Sequence, residues 1–90
     1  MSRERLEITL DELNETKIEF VNFLFKKLKE KGNHTFSSRH EILGAITEEY
    51  HELIEEVTKH SNHQIKHELF DLAVCALFGA CCIDHNKTDW

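Results

Sequence analysis

Two short clusters of carboxylates hold the residues best suited to chemistry. Glu48, Glu49 and Glu52 stand in "EEYHE", and Glu68 and Asp71 follow in "ELFD". Asp71 is the only charged residue between Leu69 and Ile83. A carboxylate in so apolar a run is costly to bury unless it is paired, protonated or bound to a metal. Glu49 and Glu52 are three residues apart, as are Glu68 and Asp71, so on helices each pair shares a face. Four like charges brought together beside a core raise one another's pKa values. A hard divalent cation reverses that penalty, and Mg²⁺ in particular suits a few carboxylates supplemented by waters and substrate phosphates. The competing reading is a solvated acidic face with ion pairs to Lys66, Lys59 or Arg39. That reading suits Glu48, Glu55 and Glu56 taken singly, and it suits Asp71 least.

The elements that must position these groups are helical. Zero prolines, three glycines and the absence of strand-like alternation indicate an all-α chain. Thr9 with Glu12, Ser38 with Glu41, and Ser61 with Gln64 each open a helix. Gly32, after the cationic "KKLKEK", closes the first. The expected helices run near 10–31, 39–59 and 62–83. The first carries Leu10, Leu13, Phe20, Val21, Leu24 and Leu28 as its apolar positions. Ile42, Ile46, Tyr50, Leu53 and Val57 form the expected stripe of the second, with Glu49, Glu52 and Glu56 along one border.

The link around residues 60–62 is short enough to force helices two and three into an antiparallel αα-hairpin. Folding about residue 60 sets Glu52 opposite Glu68 and Glu49 opposite Asp71, on one level about 12 Å from the turn. The third helix is apolar nearly all round and needs cover on more than one side. A second copy is expected to supply it, packing on Leu72, Cys75, Ala76, Gly79 and Cys82. A dimeric or tetrameric helical bundle is the expected assembly, because so small a core gains from oligomerisation. Residues 1–90 read as a single domain.

Composition narrows the possible functions. A net charge of −6 and a pI near 5.6, with no basic stripe, argue against binding nucleic acid or an anionic membrane. An acidic protein acting on an anionic substrate needs a cation between the two. Cys75, Cys81 and Cys82 have neither CxxC spacing nor an even count, so they read as reduced, small core residues in a cytoplasmic protein. "MSRERLEITLDE" has no apolar signal-peptide core, and Leu69 to Ile83 is too short to span a bilayer.

"EEYHE" and "ELFD" together match the EExxE…ExxD pattern of MazG-like, all-α nucleotide pyrophosphohydrolases. The resemblance covers about Ser37 to Ile83, and "SSRHEILGAITEEYHELIEEV" is similar to short phage and bacterial members. It implies Mg²⁺-dependent hydrolysis, with Mn²⁺ as a possible substitute. The reaction converts a nucleoside triphosphate to monophosphate and pyrophosphate. By the motif, Glu49, Glu52, Glu68 and Asp71 are the implied metal ligands, and Glu48 and Glu49 the implied catalytic pair. Glu48 would serve as an outer acceptor or orient the attacking water. Arg39, Lys59 and Lys66 are the nearest cations for the substrate phosphates. Phosphoribosyl-ATP pyrophosphohydrolase shares the two-part motif and ranks second among enzymes. Its KxGEE approach is replaced by Ala45, Ile46 and Thr47 before Glu48, and Cys75 follows Asp71 where that family has histidine.

Two further readings stay open. His63 and His67, on the same helix as Asp71, allow a 2-His-1-carboxylate transition-metal site to which His60, His51 or His85 could add; exposed helix histidines are the simpler interpretation. Phe36, Tyr50 and Trp90 are candidates for stacking on a nucleobase, although each is more simply core or surface. A non-enzymatic helical interaction module, with the carboxylates limited to ion pairs, is the alternative function.

Overall fold

The computed structural model describes residues 4–32, 34–59 and 61–88. It contains α1 (Leu10–Lys31), α2 (Arg39–Lys59) and α3 (Asn62–Asp84) and no strand among the described residues. The expected bounds are met, with α3 one residue longer. His60 and Trp90, both singled out in the sequence, lie outside the described residues. The chain forms two compact units, residues 1–32 and 33–90.

In the first unit, the Thr9 hydroxyl accepts the Glu12 N–H at 3.1 Å while the Glu12 carboxylate accepts the Thr9 N–H at 2.9 Å. That reciprocal pair satisfies two of the donors a helix start leaves unpaired. Gly32 ends α1 with φ 81, a left-handed value that costs glycine least, and its N–H reaches the Leu28 carbonyl at 2.8 Å. No residue of α1 is buried, and Leu13, Ile18 and Phe25 are each more than half exposed.

In the second unit, Ser38 is buried and caps α2 by accepting the Glu41 N–H at 3.1 Å. The Glu41 carboxylate reaches back one residue further than expected, accepting the Ser37 N–H and hydroxyl at 3.0 and 2.9 Å. Ser61 caps α3 in the same way as Ser38. Helices α2 and α3 pack on each other. A Cβ placed on Gly79 would lie 2.9 Å from Ile42 Cγ2, so the helices approach closely because residue 79 has no side chain. Ile42 opposite Gly79 and Glu52 opposite Glu68 straddle residue 60 symmetrically, as an antiparallel hairpin requires. Phe36 meets Phe78 edge to face at 5.8 Å, tying the loop before α2 to α3. Phe36 therefore has a packing partner.

Three expectations need correction. The seam of α2 is Ile42, Ala45, Ile46, Glu49, Leu53 and Glu56, all half-buried, whereas Tyr50 and Val57 are 54% and 57% exposed. Glu49 and Glu56 thus lie in the seam and not along its border, on the same line of α2 as Ile42, which Gly79 lets close against α3. The set expected to pack on a second copy is also partly used within the chain. Gly79 and Cys82 are the two buried residues of α3, and Ile42 of the same chain covers Gly79. Small side chains permit close approach of any helix, and α2 takes that place. Cys75 is half-buried but Cys81 is exposed, so the core role holds for Cys82 and only in part for Cys75. Leu69, Leu77 and Ile83 remain about half exposed. No helix among the described residues is long and apolar enough to cross a membrane.

Candidate metal centre

Midway along the hairpin, α2 contributes Glu49 and Glu52 and α3 contributes Glu68 to one cluster. One oxygen from each lies within 4.8 Å of the others. A second cluster with the same limit joins His67, Glu68 and Asp71. Glu68 belongs to both, so the four carboxylates form one continuous acidic site. The hairpin register produces this arrangement: residues 49 and 52 on one helix and 68 and 71 on the other reach the same level from opposite sides.

Burial and crowding dominate the electrostatics. Glu49 is pushed up to about 7, first by burial, then by the neighbouring charges of Glu52 and Asp71 and by a hydrogen bond with Glu52. Glu68 is also raised, first by burial, then by Asp71 and Glu52, while His67 pulls in the opposite direction. The His67 Nε2 lies 3.4 Å from the Asp71 Oδ2, one helical turn apart. Oε2 of Glu49 and Oε2 of Glu68 are buried and accept no hydrogen bond. A buried acceptor without a donor is destabilising, and native structures seldom keep one without a use for it. Four converging carboxylates with two such oxygens match the donor preference of a hard divalent cation. The residues present therefore fit a metal ion.

The remaining site residues read from the sequence lie further out. Glu48 is exposed and turned about 100° round α2 from Glu49, and it joins neither cluster. Lys59 ends α2 seven residues beyond Glu52, on the same border of that helix. Arg39 begins α2 on the opposite border. Lys66 holds its ammonium 5.6 Å above the Phe70 ring, on a face of α3 about 160° round from Glu68. His63 joins no metal-competent cluster among the described residues. His51 lies beside the Tyr50 ring, and His85 Nδ1 contacts the Cys81 carbonyl at 3.1 Å.

Two residues, one beside the carboxylates and one further along the seam, escaped the sequence reading in part. Glu56 is half-buried in the seam with Oε2 shielded from solvent, seven residues after Glu49. That heptad spacing was the available signal. His67, not His63, is the histidine beside the carboxylates, and its position four residues before Asp71 pointed to it.

A family model described as the MazG nucleotide pyrophosphohydrolase domain matches residues 37–88, more than half of the chain, spanning α2 and α3. No curated protein and no solved structure matches the chain.

Proposed function

From the chain's membership of the MazG nucleotide pyrophosphohydrolase family, we propose that it is a Mg²⁺-dependent hydrolase of nucleoside triphosphates. It cleaves them between the α- and β-phosphates to give monophosphate and pyrophosphate. The observation that carries this reading is the convergence of Glu49, Glu52, Glu68 and Asp71 from facing turns, with two buried oxygens that accept no hydrogen bond.

These four carboxylates hold the cation. When bound, it neutralises phosphate charge and makes a coordinated water more acidic. The protein's own contribution is position and charge. Glu49, Glu52 and Glu68 converge at one level of the hairpin, so a cation held there would stand between them and the substrate's phosphates. Glu48, one residue before the ligands and open to solvent, accepts a proton from the attacking water. The oxygen–α-phosphorus bond then forms as the bond to the bridging oxygen breaks, and pyrophosphate leaves with that oxygen. Phosphoryl transfer asks little more of a protein than this positioning and charge stabilisation.

Lys59 shares a helix border with Glu52 and is the cation on this hairpin best located for the departing phosphates. Arg39 and Lys66 lie on other faces and meet substrate across an assembly of two or four copies. The exposed Leu69, Leu77 and Ile83 of α3 supply apolar area for that assembly.

The test is a product analysis over canonical and modified nucleoside triphosphates with Mg²⁺ and with chelator. Monophosphate and pyrophosphate in equal amounts, only with the cation, is the expected result. Diphosphate and orthophosphate as primary products would overturn the proposal.

A further inference from the structure

Helix α1 lies outside residues 37–88, the span that the family model matches, and outside the hairpin that carries the metal site. Its charges are divided along its length. Residues 10–20 hold four carboxylates and one lysine, whereas residues 21–31 hold four lysines and one glutamate, net −3 and +3. We propose that α1 is a self-association element, pairing antiparallel with α1 of a second copy of this chain. This goes beyond the proposed hydrolysis and does not involve its metal site.

The apolar face supplies the contact area. Leu10, Leu13, Ile18, Val21 and Phe25 are exposed. At about 100° per residue they fall within about 140° of the helix circumference. Most helical stability in proteins comes from packing such a face, and α1 has no buried residue of its own. Charged groups border the face on one side. Asp11 and Lys29 share one angular position there, and Glu15 and Lys26 lie about 40–60° beyond it. All four are exposed.

Charge then selects the occupant and its direction. When two copies of one helix pack face to face and antiparallel, the same border of each lies on the same side of the pair. Asp11 of one copy then meets Lys29 of the other, and Glu15 meets Lys26, because both pairs straddle residues 20 and 21 symmetrically. A two-fold axis repeats each contact, giving opposite charges in every pair around an apolar seam centred near Val21. A parallel pair would set Asp11 against Asp11 and Lys29 against Lys29, and like charges facing each other are costly. A uniformly acidic or basic partner would suit one half of α1 and repel the other. A second copy brings the complementary pattern by symmetry alone.

The experiment is sedimentation velocity on the full chain and on two charge-reversed variants, D11K/E15K and K26E/K29E. In either variant alone every facing pair becomes like-charged. Each should sediment one association step below the wild type, with the dissociation constant of that step raised at least about tenfold. Mixing the two variants restores opposite charges in every pair, so an equimolar mixture should recover the wild-type sedimentation. That recovery separates a lost interface from a variant that merely folds poorly. A wild type that stays monomeric at micromolar concentration would overturn the inference. So would variants that associate as the wild type does, or a mixture that remains dissociated.

Discussion

Replacing Glu49 with glutamine preserves its shape and removes one of the crowded charges. The folded chain binds a proton at Glu49 more tightly than the unfolded chain does, since its pKa rises from 4.5 to about 7. Stability of the metal-free protein therefore declines as pH rises from about 4.5 to about 7, and stays low above that. Taken at full strength, the shift corresponds to about 3 kcal/mol at roughly 1.4 kcal/mol per unit. Glu49 is only half-buried, and screening by water reduces this to about 1–1.5 kcal/mol. At pH 8 in chelator, Glu49→Gln should be the more stable protein by that amount, raising Tm by roughly 5–10 °C for a domain of this size. With Mg²⁺ the order should reverse. A hundredfold excess over Kd stabilises the wild type by about 2.7 kcal/mol, and the variant forfeits most of that. Thermal melts of both proteins, each with Mg²⁺ and with chelator, supply the four values needed. A variant destabilised by about 3–5 kcal/mol in chelator would indicate that Glu49 completes a buried ion pair, and a wild type indifferent to Mg²⁺ would refute the reasoning outright.

Other substitutions probe different parts of the hairpin. Asp71→Asn should leave the circular dichroism spectrum unchanged while pyrophosphate release falls about 100-fold or more, since loss of supporting groups alone costs 10–100-fold. Gly44 has nothing within 4 Å of an added Cβ, so Gly44→Ala should stabilise α2 by about 1 kcal/mol in denaturant titrations. Gly79→Ala should instead destabilise by about 1–2 kcal/mol, because its Cβ meets Ile42 Cγ2 at 2.9 Å, and Ile42→Ala should relieve the clash in a double-mutant cycle. Ser38→Ala removes the cap of α2 and should lower stability by about 1–2 kcal/mol on the same assay.

The helices were legible because their ends are written in short-range chemistry. Thr9 with Glu12, Ser38 with Glu41 and Ser61 with Gln64 act within three residues, and Gly32 ends α1 through its own φ. The convergence of Glu49 and Glu52 with Glu68 and Asp71 was legible for a related reason, since a tight link fixes which residues of a hairpin share a level. The rotation of α2 about its axis was not. That rotation turned Tyr50 and Val57 outward and drew Glu49 and Glu56 into the seam, and the one close approach that fixes it, Ile42 against Gly79, needed coordinates. The same local smallness at Gly79 and Cys82 read as a surface for a second copy, because a sequence shows that a helix can approach closely without showing which helix does. His67 was visible as a helix histidine, but its 3.4 Å approach to Asp71 needed side-chain geometry.

The sharpest measurement is a calorimetric titration of Mg²⁺ into the full chain at pH 7, repeated in buffers of different ionisation enthalpy. Glu49, with its pKa near 7, is about half protonated there without the cation. A cation held by the carboxylates must displace that proton, so about half a proton should be released per ion bound, with more at lower pH. Glu49→Gln should reduce the release and remove most of the affinity. Binding heats that do not depend on the buffer, or no binding at millimolar Mg²⁺, would contradict the assignment of Glu49, Glu52, Glu68 and Asp71 as the metal site.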